Sequence, residues 1–390
     1  MSRSYIENVH RSFQPSARDR ALFEKISQSP VEQRPAILED LHRLEKPMGL
    51  SYSLLALYRQ QVNCRFVLAD PLEIEGKLDK KFFDFDTSIT FQLQWNPLRE
   101  LRKDRELLIK HEIIAENVDP TRLINKDTSG KACFLCSTNI SLQNPREILL
   151  EVNLAGEDFH IGANFAYITN NHFTLINAVH RPQQYRKEIL TTGSDFTEKT
   201  DGRFRVIFNS LAGATILSHE HLQATTEPFP IEQIRITDDD IVCKNRDVTV
   251  SRPTYYVPLW LIQGRDTQNI HIAADTIIRA WHELNPNTHT ENVITVKSGD
   301  LHRVFVILRD KNKLAAPKFG KMGALAAFET AGNIVLSHQP TLDQADEPNE
   351  KDTFDLATLE TLRHMIAAVS PSRQSIDALF ERISSANIWL

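Results

Sequence analysis

Apolar residues return at three- and four-residue spacing through the first sixty positions, in SARDRALFEKIS and again in PAILEDLHRLEK. That period is one face of an α-helix, and Ser16 and Pro35 are residue types that begin helices. Past residue 60 the pattern shortens to strand lengths, with RFVLAD at 65–70 and SITFQLQW at 88–95. The polar run DPTRLINKDTSGK at 119–131 reads as a loop. Between 147 and 236 the segments EILLEVNL, FAYIT, HFTLIN, FRVIFNS and ATILSHEHLQ all read as β. YYVPLWLIQG, NVITVKS and HRVFVILRD repeat that character further on. GALAAFETAGNIVL at 323–336 predicts a helix, and the acidic QADEPNEKD leads to two amphipathic helices, FDLATLETLRHMIAAV and SIDALFERISSA. ALFEKIS and ALFERIS near the two ends are alike because both are amphipathic helices; no repeat is inferred. The pattern predicts an α+β protein with antiparallel β-rich halves between helical ends. Its parts are a helical segment over 1–60, a first half over 61–240, a second over 241–345 and closing helices over 346–390.

Composition narrows this picture. A chain of 390 residues that is 41% hydrophobic and 25% charged is ordinary globular protein, long enough for more than one domain. A net charge of −6 argues against a general nucleic-acid binder, because phosphate-backbone affinity needs clustered Lys and Arg. No apolar run approaches the roughly 20 residues that span a bilayer, so no membrane partner is expected. MSRSYIENVHRSFQ lacks the apolar core of a secretory signal. The four cysteines, Cys64, Cys133, Cys136 and Cys243, are too few for a disulfide scaffold. The cytoplasm is the expected compartment.

Chemistry concentrates at Ser218-His219-Glu220-His221-Leu222-Gln223. On a strand or strand end, His219, His221 and Gln223 would share one face. Three polar groups on one face need a common partner, since burying them unpaired is costly. H-x-H can equally be two core histidines, each satisfied by one hydrogen bond. The small polar run Asn209 to Thr215, with Gly213 inside it, lies between two strands and can aim backbone N–H groups at a phosphate. No Walker-type G-x-x-x-x-G-K-[ST] occurs, and H-E-x-x-H fails because Gln223 stands where the second His belongs. Cys133-x-x-Cys136 has no thioredoxin-like βαβ context. With His180 and His219 each about forty residues further on, it fits a tetrahedral Cys2His2 zinc site.

Cys-x-x-Cys, a His after a strand, then His-x-His-x-Gln resembles the galactose-1-phosphate uridylyltransferase branch of the histidine-triad superfamily. The resemblance implies two histidine-triad-like halves. It also implies His219 as a structural Zn2+ ligand beside Cys133, Cys136 and His180, His221 as nucleophile, and Gln223 on the phosphoryl oxygens. Phe208 to Leu211, His219-x-His221-x-Gln223 and Pro228 to Glu232 are similar to GDP-L-galactose and GDP-D-glucose phosphorylases. Phe91 to Arg99 and Phe328 to Leu336 add to that likeness. Those phosphorylases lack the Cys pair and a His180 counterpart, so the chain combines features of both groups.

The expectation is transfer of a nucleotidyl group from a nucleoside diphosphate sugar through a covalent His221 intermediate, with a hexose 1-phosphate released. Guanine is the first choice of base and uracil the second; the acceptor is inorganic phosphate or a sugar 1-phosphate. Asn164 and His172 are expected at the nucleoside end, with Asn209, Gly213, Thr215 and Ser218 near the phosphates. Arg309 or Lys311, or their neighbours Lys313, Lys318 and Lys321, would meet the second phosphate. A homodimer is compatible with this reading. A dinucleoside polyphosphate phosphorylase or hydrolase, and a zinc-stabilised nucleotide sensor without activity, are the alternatives.

Overall fold

The computed structural model describes residues 16–67, 78–85, 89–126, 130–245, 247–314, 325–338 and 349–385. Three helices open it: α1 (Ala17–Gln28), α2 (Arg34–Met48) and α3 (Leu50–Asn63). Ser16 starts the first through a capping box, its hydroxyl accepting from the Asp19 N–H while the Asp19 carboxylate takes the Ser16 N–H. Strands β1 (Asp79–Asp84) and β2 (Thr90–Trp95) form a hairpin, followed by helices α4 (Arg105–Lys110) and α5 (Ser137–Gln143).

The centre is one antiparallel sheet of ten strands. In chain order they are β3 (Leu150–Leu154), β4 (Glu157–Ala163), β5 (Phe173–Asn177), β6 (Arg205–Asn209), β7 (His221–Thr225), β8 (Ile241–Lys244), β9 (Val248–Ser251), β10 (Leu259–Gly264), β11 (His289–Ser298) and β12 (Leu301–Asp310). Across the sheet the order is β3-β4-β5-β7-β6-β11-β12-β10-β9-β8, so β6 pairing with β11 joins the two halves. Helices α6 (Glu188–Lys199) and α7 (Thr267–Leu284) cross between strands.

Both faces of the sheet are covered, which explains apolar runs such as RVIF and RVFVIL. Alternate side chains enter different cores. Val206, Phe208, Val304 and Val306 pack in one with α1 to α3, α6 and α7. Ile207, Phe305 and Ile307 pack in the other with Phe91, Leu93 and Phe328. That second core is roofed by β1, β2 and a short strand β13 (Asn333–Leu336) parallel to β2, and by α9 (Glu350–Leu356) and α10 (Leu359–Ala368). Helix α11 (Arg373–Ser385) packs against α7. No described helix is long and apolar enough to cross a membrane.

Several predicted elements come out differently. The predicted helix over 323–336 is only α8 (Ala327–Thr330) in its described part. Gly332 then takes φ +104, where a Cβ would meet the Pro230 ring at 2.6 Å, and the chain turns into β13. FAYIT is a turn rather than a strand, and Arg65 sits at φ +63 after α3 while 68–70 lie outside the described residues. ATILSHEHLQ becomes extended only from His221. Helix α7, with Ile270, Ala274, Ile277, Ile278 and Trp281 buried along one face, lies outside the predicted elements, as do α6, β1, β4, β8 and β9.

Candidate active site and metal centre

Four ligand-type side chains from three parts of the chain converge beyond the end of the β5–β7 pair, past Asn177 and before His221. Cys133 lies in a tight knuckle: its N–H donates to the Asn125 carbonyl at 3.1 Å, and its own carbonyl accepts from Asn139 Nδ2 at 2.8 Å. Cys136 caps α5, His180 follows β5, and His219 stands two residues before His221. Their ligand atoms lie within 4.8 Å of one another. Cys133 Sγ is 3.3 Å and Cys136 Sγ 3.6 Å from His219 Nδ1, Cys136 Sγ is 3.4 Å from His180 Nδ1, and the two Nδ1 atoms are 3.3 Å apart. A tetrahedral zinc with bonds of about 2.3 Å to sulfur and about 2.05 Å to nitrogen has S···N edges of about 3.6 Å and N···N edges of about 3.3 Å. The donor set therefore fits a metal ion of that type.

The surroundings orient the same lone pairs. His219 Nε2–H donates to the Asn177 carbonyl at 2.8 Å, leaving Nδ1 unprotonated toward the thiols. Burial raises the Cys133 thiol, yet hydrogen bonding that includes the Leu135 N–H outweighs it and holds the thiol down at about 6. Glu220, fully buried between the two histidines, accepts from Asn177 Nδ2 at 2.8 Å and from Arg186 Nε at 2.6 Å and Nη2 at 2.7 Å. Arg186 also pairs with Glu157, so this buried carboxylate is compensated.

His219 and His221 do not share a face as a strand through both would place them. His219 precedes β7 and turns to the cysteines, whereas His221 lines a cavity of about 620 Å³ on the other side. His221 Nδ1 lies 2.9 Å from the His219 carbonyl, which can only accept, so Nδ1 carries the proton. Nε2 is then an unprotonated lone pair with no bonding partner among the described residues. Burial pushes the imidazole down to about 4, so it is neutral near pH 7.

Gln223 lines the same cavity. His172 Nδ1 accepts from the Ile168 N–H at 3.2 Å, so its Nε2–H is the donor to Gln223 Oε1 at 2.8 Å. That bond takes the amide oxygen and leaves the Gln223 NH2 to donate into the cavity. Burial and the Arg99 charge push His172 down to about 3, so it stays neutral in this role.

Of the other predicted residues, Asn164, Gly213 and Thr215 line the cavity with His172. Ser218 is exposed on the cysteine side, its hydroxyl 4.0 Å from Cys133 Sγ. Asn209 is a tie instead: its Oδ1 accepts from Asn292 Nδ2 at 3.0 Å and from the Ala327 N–H at 2.9 Å. Arg309 is fully buried, donating to Asn292 Oδ1 and to the Leu325 carbonyl, both at 2.6 Å, because its strand position faces the interior. Lys311 and Lys313 are exposed and absent from the cavity wall, and Lys318 and Lys321 lie outside the described residues. The cations in the wall are Arg99 and Arg105, with Glu329 beside them, its carboxyl raised by burial. Arg99 ends the Phe91-to-Arg99 stretch singled out in the sequence, but only the fold carries it to the cavity. One wall is apolar, formed by Val118, Leu123, Phe134 and Phe165.

Residues 78–226 match a family described as a domain of unknown function, DUF4922. The chain is similar in sequence to galactose-1-phosphate uridylyltransferases. That of Halalkalibacterium halodurans is 24% identical over 207 residues, covering 47% of this chain and 40% of that protein. That of Lactococcus lactis subsp. cremoris strain SK11 is 24% identical over 167 residues, covering 40% and 34%. The alignments thus span 40% or less of the length of these curated relatives. Among solved structures, the yeast Ap4A phosphorylase Apa2 in complex with Ap4A superposes with a TM-score of 0.45 at 12% identity, over 80% of this chain and 97% of that one.

Proposed function

We propose that this protein is a nucleotidyltransferase or phosphorylase that takes the nucleotidyl group of an NDP-hexose onto His221 and releases hexose 1-phosphate. The observation that carries the reading is the state of His221: Nδ1–H held by its own main chain, Nε2 free in a cavity that also holds the Gln223 amide. The sequence likeness to galactose-1-phosphate uridylyltransferases supports the same chemistry.

His221 Nε2 attacks the α-phosphorus in line, a P–N bond forms, and the bond to the bridging oxygen breaks as the hexose 1-phosphate leaves with the electron pair. The ring gains positive charge, which the Nδ1–H bond to the His219 carbonyl stabilises. The Gln223 NH2 and backbone N–H groups of the 213–216 loop donate to the non-bridging oxygens, where negative charge is held during transfer. The acceptor, inorganic phosphate or a second sugar 1-phosphate, then attacks the same phosphorus and frees His221. Cys133, Cys136, His180 and His219 would hold a zinc ion that keeps the knuckle, the 180 loop and the start of β7 in register. With four protein ligands such an ion would leave no open position for substrate, so its contribution would be structural.

The likeness of Phe208 to Glu232 to GDP-hexose phosphorylases favours guanine, and the curated relatives favour uracil. Intact-mass spectrometry after exposure to a panel of GDP- and UDP-hexoses decides both points. A gain of one NMP, absent in His221→Ala, is the expected result and names the base. If no sugar nucleotide leaves an adduct on the parent protein, the covalent reading is wrong.

A further inference from the structure

Strands β6 and β7 pair through Arg205 with Thr225, Val206 with Ala224 and Ile207 with Gln223, and there the ladder stops. Continuing the register would set Asn209 against His221. The strands part at the residue that carries the chemistry, and buried main-chain groups left there need other partners. One side chain takes them. Gln183 Oε1 accepts from the His221 N–H at 2.7 Å, while Gln183 Nε2 donates to the His221 carbonyl at 2.9 Å and to the Asn209 carbonyl at 2.7 Å. Gln183 is fully buried, so these bonds do not compete with water.

The anchor of this amide is equally specific. Gln183 follows His180 by three residues, and its own N–H donates to the Leu217 carbonyl at 3.0 Å. Its position is thus set by the two segments that bring His180 and His219 to the cysteines. The His219 carbonyl, which fixes the His221 Nδ1 proton, belongs to one of them.

The geometry points to Gln183 as the positioning residue of the reaction: its amide replaces the missing strand pair and holds the His221 backbone so that Nε2 faces the cavity. Removing it leaves three buried main-chain groups without partners and frees the backbone to rotate the ring. The kinetic part of this inference rests on the covalent role of His221; the ring orientation does not.

Gln183→Met keeps the shape and removes the three side-chain hydrogen bonds while leaving the main-chain bond to Leu217. Formation of the NMP adduct is expected to slow about 100-fold, the scale of a small misplacement of a reacting group. Affinity for unreactive GMP or UMP should change by less than about threefold, and metal content should match the parent, because neither depends on the nucleophile's orientation. Nitrogen NMR of 15N-histidine protein, with His221→Ala used to assign the signal, gives a readout free of turnover. The parent should show His221 protonated at Nδ1 only, and Gln183→Met should show the Nε2–H tautomer as well. If Met at 183 prevents folding, Gln183→Glu serves, since it keeps the acceptor for the His221 N–H and puts a charge against both carbonyls. An unchanged adduct rate with an unchanged tautomer overturns the proposal, as does a rate loss matched by equal loss of nucleotide binding. If the parent forms no adduct at all, the covalent reading fails, and the tautomer result alone judges Gln183.

Discussion

Two histidines two residues apart sit in different surroundings, and substitution should separate them. His219 lies among thiols with its far nitrogen on the Asn177 carbonyl, whereas His221 faces the cavity with its near nitrogen on the His219 carbonyl. His219→Ala is expected to lose bound metal and thermal stability together, because structural metal contributes folding free energy. His221→Ala should keep the metal and lose adduct formation; elemental analysis beside intact-mass measurement checks the pair. Loss of metal in His221→Ala would reverse the assignment. A second residue-scale prediction concerns His282, whose Nε2 meets the buried Glu291 carboxylate. Burial lowers this imidazole, but the hydrogen bond and charge of Glu291 outweigh it and leave it raised above 6.5. A raised native pKa means the folded state binds the proton more tightly. The pair's stabilisation is therefore full below the unfolded value of about 6.5 and fades as pH climbs through the raised one. His282→Ala should lower the melting temperature more at about pH 6 than at about pH 9. Equal losses at both would show that the pair contributes no charge interaction.

At the scale of elements, the 211–216 loop meets α8 at one glycine. Gly213 has φ +102, and a Cβ there would lie 2.6 Å from Ala326 Cα and 2.8 Å from Ala326 Cβ. Backbone strain and contact both oppose any side chain, so Gly213→Ala should cost on the order of 1–3 kcal/mol in urea unfolding. Because Gly213, Thr215, Ala326 and Phe328 share one cavity wall, the shift should also weaken nucleotide binding. A variant as stable as the parent with parent affinity would mean that the loop accommodates the methyl elsewhere. The same logic explains Gly332, which ends α8 and lets β13 begin: local propensity in GALAAFETAGNIVL favours helix, and the partner strand β2 overrides it in NIVL.

At the scale of the whole molecule, one sheet crosses both halves through β6 and β11. Polar ties reinforce this seam: Asn292 Nδ2 donates to Asn209 Oδ1 and to the Ala212 carbonyl, and Arg309 donates to Asn292 Oδ1. Neither half can open without breaking those bonds in the core. Urea unfolding followed by circular dichroism and by tryptophan fluorescence should give coincident curves, since Trp95 reports the small sheet and Trp260 and Trp281 the second half. Two separated transitions would show that the halves unfold independently. Chelation should move the midpoint to lower urea without splitting the curve, because the four residues that could hold a metal join α5, β5 and β7 within the same sheet region.

What the residues alone determined is what depends on type and spacing. Short apolar runs rich in β-branched and aromatic residues in FRVIFNS, HFTLIN and HRVFVILRD marked strands, because a run of that length and composition suits a strand buried on both faces. Cys133, Cys136, His180 and His219 were legible as a ligand set, because thiols and imidazoles at such separations share one chemistry. His221 and Gln223 stood out for the same reason. Tertiary structure decided everything that depends on direction. It turned His219 away from the face of His221, made Arg309 and Asn209 ties within the seam, and supplied Arg99 and Glu329 from distant segments to the cavity. Nothing in the spacing of NAVHRPQQYR marks Gln183, since its task exists only where two strands part beside a histidine.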